Sequence, residues 1–388
     1  MQELGIYVHF PFCVRKCAYC DFLSGPAGSA AMERYTQALI EEIKMTAEKT
    51  SALQVTSIFL GGGTPSIVPT ICITQTIEVL RTCFHVTEDA EITIECNPGT
   101  VTREKLLAYL KAGINRLSFG LQSVQEEELK LLGRIHSFEQ FLDSYRLARE
   151  AGFANINIDL MSGLPGQSLE SWQDTLKQVV QLQPEHISAY SLIIEPGTPF
   201  YEQYGEREEL LPDEETDRAM YAWTKSFLET YGYHRYEISN YAREGRESRH
   251  NNYYWTGVDY LGFGVGAASY YQGIRYENVR EVQYYIQNLE LNGTVLADLR
   301  IHEQKISSRE RQEEFAYLGL RRMEGISPAA FEKRFGISYD SVYGKVTERL
   351  VNQGLLKYET IAGEERITLT DRGIDISNVV LAEFLQEE

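Results

Sequence analysis

Ile6-Tyr7-Val8-His9-Phe10-Pro11-Phe12-Cys13-Val14-Arg15-Lys16-Cys17-Ala18-Tyr19-Cys20-Asp21-Phe22 begins as an alternation of apolar and polar residues and ends in three cysteines within eight positions. The alternation over 6–10 predicts a strand, so the cysteines sit in the loop at its C-terminal end. A structural zinc site takes four ligands, usually as two separated pairs. An ordinary iron–sulfur cube also takes four cysteines. Three thiolates on a 4Fe–4S cube leave one iron open to a small molecule, and Cys13, Cys17 and Cys20 are the predicted ligands. Zinc held by these three and a distant fourth group is the rival reading.

Outward from this loop, short apolar runs alternate with longer amphipathic stretches up to about residue 240. Strands are predicted over 6–10, 56–60, 91–95, 116–120, 155–160 and 187–193, with a weaker one over 235–239. Helices are predicted over 32–48, 102–112, 138–151, 169–182 and 216–231, two of them ending at Gly113 and Gly152 as helices often do. Such βαβ alternation implies an α/β protein with a parallel sheet. Six or so units suit a full or partial (β/α)6 barrel, whose active site gathers at the C-terminal strand ends. There lie the cysteine loop, Gly61-Gly62-Gly63-Thr64-Pro65, Glu95-Cys96-Asn97-Pro98, Gln122 and Asp159.

Three divisions follow: a barrel over 1–240, an extension over 241–302 crowded with tyrosine, arginine and asparagine, and a C-terminal helical module over 303–388. In the extension, Leu261-Gly262-Phe263-Gly264-Val265-Gly266 reads as a flexible loop of close backbone approach. The C-terminal module shows three helices and then a hairpin over 356–369, a winged-helix-like pattern. It is acidic on balance, which favours a docking or lid role over DNA binding.

The 388 residues carry a net charge of -19 and are 43% hydrophobic. That charge argues against nucleic acid as a partner, while a local basic site for an anion is compatible with it. No apolar run reaches the roughly 18 residues of a membrane span, and the N-terminus lacks the basic region and cleavage site of a secretory leader. A cytoplasmic location without a direct membrane anchor is expected. Six cysteines are too few for a disulfide scaffold; Cys72, Cys83 and Cys96 are read as core residues.

Gly61-Gly62-Gly63 lets backbone amides approach a polar ligand. Alone it is only a turn signal. Glu95 closes the third strand, where a carboxylate can fix a ribose or an amino group, or make a salt bridge at the barrel edge. Gln122, Arg134 and Asp159 lie at or beyond later strand ends. Asp159, between Ile158 and Leu160, requires a polar partner if buried.

By these motifs the chain is identified as resembling the radical SAM superfamily, in its coproporphyrinogen-dehydrogenase-like branch. The matching stretches are Ile6–Cys13, Phe59–Ser66, Ser118–Ser123 and Asp159–Gln167, and the likeness extends over nearly the whole chain. It implies that Cys13, Cys17 and Cys20 hold a 4Fe–4S cluster whose open iron chelates S-adenosylmethionine (SAM). By matching positions, Tyr7, Gly62, Gly63, Thr64 and Glu95 contact that SAM. Gln122, Arg134 and Asp159 fall where the branch's dehydrogenases bind a second SAM. Those dehydrogenases characteristically carry a further cysteine two residues after the third, and an N-terminal arm; here Phe22 stands at that position and the first strand begins almost at once.

The other group of the branch, the HemW-type heme chaperones, ends the loop in Cys-x-Phe and carries His-Asn-x-x-Tyr-Trp. This chain has Cys20-Asp21-Phe22 and His250-Asn251-Asn252-Tyr253-Tyr254-Trp255. The resemblance implies heme as a further ligand, with His250 as axial ligand and membrane or respiratory hemoproteins as acceptors, and it leaves room for dimerisation. Arg235, Arg243, Arg246 and Arg249 lie near in sequence and are candidates to meet heme propionates. Without the resemblance, His250 reads as the cap of a turn among packing tyrosines. The coproporphyrinogen III dehydrogenase remains the alternative function.

Overall fold

A computed structural model describes residues 3–48, 50, 53–291 and 295–386. Six parallel strands form the centre: β1 (Glu3–Phe10), β2 (Gln54–Gly62), β3 (His85–Cys96), β4 (Arg116–Gln122), β5 (Ile156–Ser162) and β6 (His186–Ser191), each hydrogen-bonded to the next. Helices join them outside, so the expected α/β barrel is present. It is partial: β6 pairs antiparallel with β8 (Asn240–Ala242), itself paired with β7 (His234–Arg235), and these stand where the sequence suggested one weak further strand.

Beyond β1 the sheet continues through β9 (Tyr260–Phe263), parallel to β1, and then antiparallel through β10 (Ala268–Tyr271), β11 (Ile274–Asn278) and β12 (Arg300–Lys305). The glycine run expected to be a flexible loop therefore lies partly in a strand. A Cβ on Gly262 would run into the carbonyl of Ala268, so glycine serves close packing there. Glu42, on the helix Ser29–Ala47, anchors this extension by accepting from the Gly264 amide at 2.8 Å and Asn278 Nδ2 at 2.6 Å.

Two-residue periodicity decides what the barrel wall does. Leu4, Ile6, Val8 and Phe10 of β1 are all fully buried against the outer helices. The alternate residues, Tyr7 and His9, face the lumen. Each later strand repeats the pattern, with Ile92 and Ile94, Leu117 and Phe119, or Ile156 and Ile158 outward. Inward lie Glu95, Arg116, Ser118, Asn157, Asp159 and Tyr190. Burying one such outward side chain is worth about 1.5–3 kcal/mol, so the outer face fixes the register. The lumen is left free for polar chemistry.

The helix Thr70–Cys83 shows how tertiary context overrides propensity: its β-branched sequence is a mediocre helix former, yet Cys72, Ile73, Thr76, Ile77 and Leu80 fall on one buried stripe. At the C-terminus, helices Ser308–Gly319, Pro328–Phe335 and Tyr339–Asn352 precede a hairpin of β13 (Leu356–Ile361) and β14 (Glu364–Leu369), the winged-helix-like order expected. Phe331, Tyr339, Tyr343 and Leu350 centre its own core. Among the described residues no helix is long and apolar enough to cross a membrane.

Candidate functional site

The cysteine loop leaves β1 at the mouth of the barrel and is tied down at three places. Cys13 N donates to Gly25 O at 3.0 Å, Ala18 N to Leu132 O at 3.0 Å, and Ala18 O accepts from Phe200 N at 3.0 Å. Leu132, Leu164, Phe200 and Tyr204 form a small core under it. All three thiols are half-buried and reduced. Cys13 Sγ lies 3.4 Å from Thr64 Oγ1, which accepts from Asn97 Nδ2 at 3.0 Å. Arg134 in turn donates to Asn97 Oδ1 at 2.8 Å and to Cys17 Sγ at 3.4 Å.

A chain of polar contacts thus links two of the thiols, with a guanidinium positioned to offset thiolate charge. Burial pushes the Cys20 thiol up to about 11. Among the described residues no three His, Cys, Asp or Glu side chains close around a single metal ion. All three thiols line one chamber at the mouth of the barrel, the donor set that the sequence assigns to a 4Fe–4S cluster.

The glycine triplet plays a different part from the one expected. The amides of Gly63 and Thr64 donate to Phe10 O at 2.9 Å and Phe12 O at 2.7 Å, and that of Gly62 to Glu95 Oε2 at 3.1 Å. These amides are engaged within the protein. Glycine is required because a Cβ on Gly63 would strike the backbone of Phe12, while Gly62 has φ +108° and a Cβ there would strike the His9 ring. The triplet docks the cysteine loop onto β2.

Two chambers occupy the lumen. The outer one, about 370 Å³, is walled by the three cysteines, Gly63, Thr64, Gln122 and Arg134 among others. The inner one, about 280 Å³, contains Tyr7, Phe59, Arg116, Tyr254 and His250. Phe22, Gly62, Glu95, Ser118, Asp159 and Tyr190 border both. Ten of the twelve anticipated site residues therefore meet at the mouth, and Tyr7 and His250 lie below. Gln122 is held at φ 73° beside a bulge in β4, the kind of strained backbone that accompanies function. Burial, and then the charge of Asp159, push the Glu95 carboxyl up to about 8. The partner Asp159 needs is provided twice, by Ser118 Oγ at 2.9 Å and Asn157 Nδ2 at 2.8 Å.

The floor is the helix Arg249–Thr256, N-capped by Ser248, which accepts from Asn251 N at 3.3 Å, and by Glu91, which accepts from the amides of Arg249 and His250. His250 is not the cap. Its ring lies in the lumen, 2% exposed, with Nδ1 2.8 Å from Ser57 Oγ and Nε2 2.9 Å from Tyr254 OH. Phe59 stacks on it at 5.2 Å. Burial, and then the Arg116 charge, lower its pKa to about 3, so the imidazole is neutral. On the side away from the lumen, Trp255 stacks under Arg321 of the C-terminal module at 4.6 Å.

The four arginines proposed from proximity in sequence are not among the residues walling either chamber. Arg249 donates to Thr56 O at 3.1 Å, Arg243 lies over the Tyr233 ring at 4.9 Å, and Arg235 over Tyr221 at 5.4 Å. The arginine that faces His250 is Arg116, which sequence reading passed over as the first residue of a strand. A signal for it exists: counting back in twos from Gln122 gives Gly120, Ser118 and Arg116, all on the inward face.

Comparison with known proteins agrees with this architecture. The model of the radical SAM superfamily matches residues 7–179, and that of the HemN C-terminal domain matches 306–376. The heme chaperone HemW of Bacillus subtilis strain 168 is 37% identical over 98% of this chain and 99% of its own. HemW of Haemophilus influenzae is 33% identical over 100% of this chain and 99% of its own. Among solved structures, coproporphyrinogen III oxidase (HemN) of Escherichia coli, a radical SAM enzyme, superposes with a TM-score of 0.85 at 25% identity, covering 99% of this chain and 90% of that one.

Proposed function

The chain belongs to the radical SAM superfamily and, within it, to the HemW family of heme chaperones; from that premise we propose that it binds heme, carries a SAM-liganded 4Fe–4S cluster, and passes the heme to membrane or respiratory hemoproteins from the cytoplasm. One observation carries the reading: a neutral histidine lies on the floor of the same lumen whose mouth presents three thiols, and the two chambers share a wall. When bound, the cluster supplies redox chemistry and an open iron that chelates the amino and carboxylate groups of methionine.

The residues around it have separable tasks. Cys13, Cys17 and Cys20 hold the cluster, and Arg134 balances the charge beside Cys17. Gly62, Gly63 and Thr64 shape the wall against which SAM lies, with Tyr7 and Glu95 below. Glu95, its carboxyl held up at about 8, gains by meeting a cation such as the SAM sulfonium. Gln122 and Asp159 complete the opposite wall. On the floor, Ser57 holds His250 Nδ1, so Nε2 is the nitrogen left for heme iron once the Tyr254 hydroxyl turns aside. Orientation of a ligating imidazole through its other nitrogen is a common device.

The second reading, coproporphyrinogen III dehydrogenase, is favoured by the structural likeness to HemN and opposed by Phe22 where a further cysteine is characteristic. Anaerobic reconstitution followed by titration separates the two. About four irons per chain are expected, none of them retained in Cys13→Ala, and iron protoporphyrin should give a Soret band that weakens in His250→Ala. Stoichiometric zinc, or SAM-dependent decarboxylation of coproporphyrinogen III without heme uptake, would sink the chaperone reading.

A further inference from the structure

Arg116 is fully enclosed, 2% exposed, on the wall of the inner chamber, and among the described residues it is the largest charged side chain so buried. Among the described residues it makes no ion pair and no hydrogen bond, and its buried Nε has no partner. Its neighbours are already satisfied by one another. Asn157 Nδ2 donates to Ser118 Oγ at 2.7 Å, Asn157 Oδ1 meets His186 Nδ1 at 2.6 Å, and His186 Nε2 meets Tyr236 OH at 2.8 Å. His250 is occupied at both nitrogens.

A permanent cation enclosed without an ion pair opposes folding, so a chain that keeps one has a use for it. A guanidinium presents a planar fork that matches a carboxylate with two parallel hydrogen bonds. The chamber, about 280 Å³, falls below the roughly 300–1,000 Å³ of pockets that engulf a drug-sized ligand. Together with the outer chamber of about 370 Å³ across the shared wall, it has room for a larger molecule whose acid edge and centre lie in the inner chamber.

We infer that Arg116 receives a carboxylate arm of the bound ligand and, resting on the heme reading above, that this arm is a heme propionate. Arg116 and His250 then grip one molecule at two points, its acid edge and its metal. The four arginines beside His250 in sequence are not needed for this. SAM, whose own carboxylate goes to the open iron, has no call on Arg116.

The test uses full-length protein titrated with iron(III) protoporphyrin IX and with its dimethyl ester, which lacks both negative charges, reading the Soret band. The parent should prefer the diacid. Arg116→Met should weaken diacid binding about 10- to 100-fold, as expected for loss of a charge-assisted hydrogen-bond pair, and leave the ester unchanged. Arg116→Lys should recover part of the loss. Arg116→Met should also melt no lower than the parent, because it removes a buried unpaired charge; a purely structural arginine would give a lower melting temperature. SAM binding should be unaffected. A parent that takes up diacid and ester alike overturns this inference alone, and so does a variant that loses SAM while keeping heme. A parent that takes up neither porphyrin overturns the heme reading and this inference together.

Discussion

Arg134 and Arg116 share one lumen, the first half-buried and the second enclosed, and they could hardly be treated more differently. At the mouth, Arg134 reaches Cys17, Asn97 and Gly120, so its charge has a protein-built setting. On the floor, Arg116 has none. The mouth is preassembled for a cofactor that the chain itself ligates. On the heme reading proposed above, the floor is left incomplete for a ligand that arrives and leaves. A carrier needs that asymmetry, because a site that satisfies itself has nothing to offer its cargo.

The largest way to break the mouth is through its backbone. Gly63→Ala places a methyl group against Phe12, and the cysteine loop must shift. A loss of about 3 kcal/mol is expected by denaturant unfolding, the upper end for overpacking, together with lower iron retention after reconstitution. Arg134→Met comes next. It strands the Asn97 and Gly120 oxygens and the thiolate charge, with an expected loss of about 2 kcal/mol and faster bleaching of the cluster absorbance. If Arg134→Met keeps its cluster as well as the parent, the contrast between the two arginines is empty.

Glu95 lies on the wall between the regions and responds to pH. Its folded-state pKa, about 8, is above the ordinary value of 4.5, so the folded protein holds the proton more tightly than the unfolded chain does. Stability of the ligand-free protein should therefore fall as pH rises from about 4.5 to about 8 and then level off. If SAM presents a cation to Glu95, its affinity should rise with pH by up to about tenfold per unit below 8. Glu95→Gln should flatten both curves, and calorimetry at pH 6, 7 and 8 is sufficient to see it. The smallest effect belongs to the floor. Tyr254→Phe removes one hydrogen bond from His250, costs about 1 kcal/mol, and should tighten heme binding if Nε2 is the nitrogen that meets iron. Weaker heme binding would instead give Tyr254 a direct role.

The mouth was legible because its signals are local. Three cysteines in eight positions, three glycines in a row and a carboxylate at a strand end each announce themselves within one short segment. The floor is assembled from Ser57, Phe59, Arg116, Asn157 and His250, which belong to three strands and a distant helix. Their common feature is the parity that turns them inward, visible only once the register is known. Proximity in sequence misled in the case of Arg249, whose guanidinium donates to Thr56 O and Asp89 O, although its neighbour His250 faces the lumen. The strand at Tyr260–Phe263 was hidden by glycines, because the same residue that permits a turn also permits two backbones to touch.

The helix Arg249–Thr256 carries one more consequence. Eight residues long, it spans about 12 Å. Its lumen face holds His250 and Tyr254, and its reverse holds Trp255 beneath Arg321 of the C-terminal module. One short helix thus joins the imidazole of the inner chamber to the C-terminal module, with barely a turn of backbone between the two contacts.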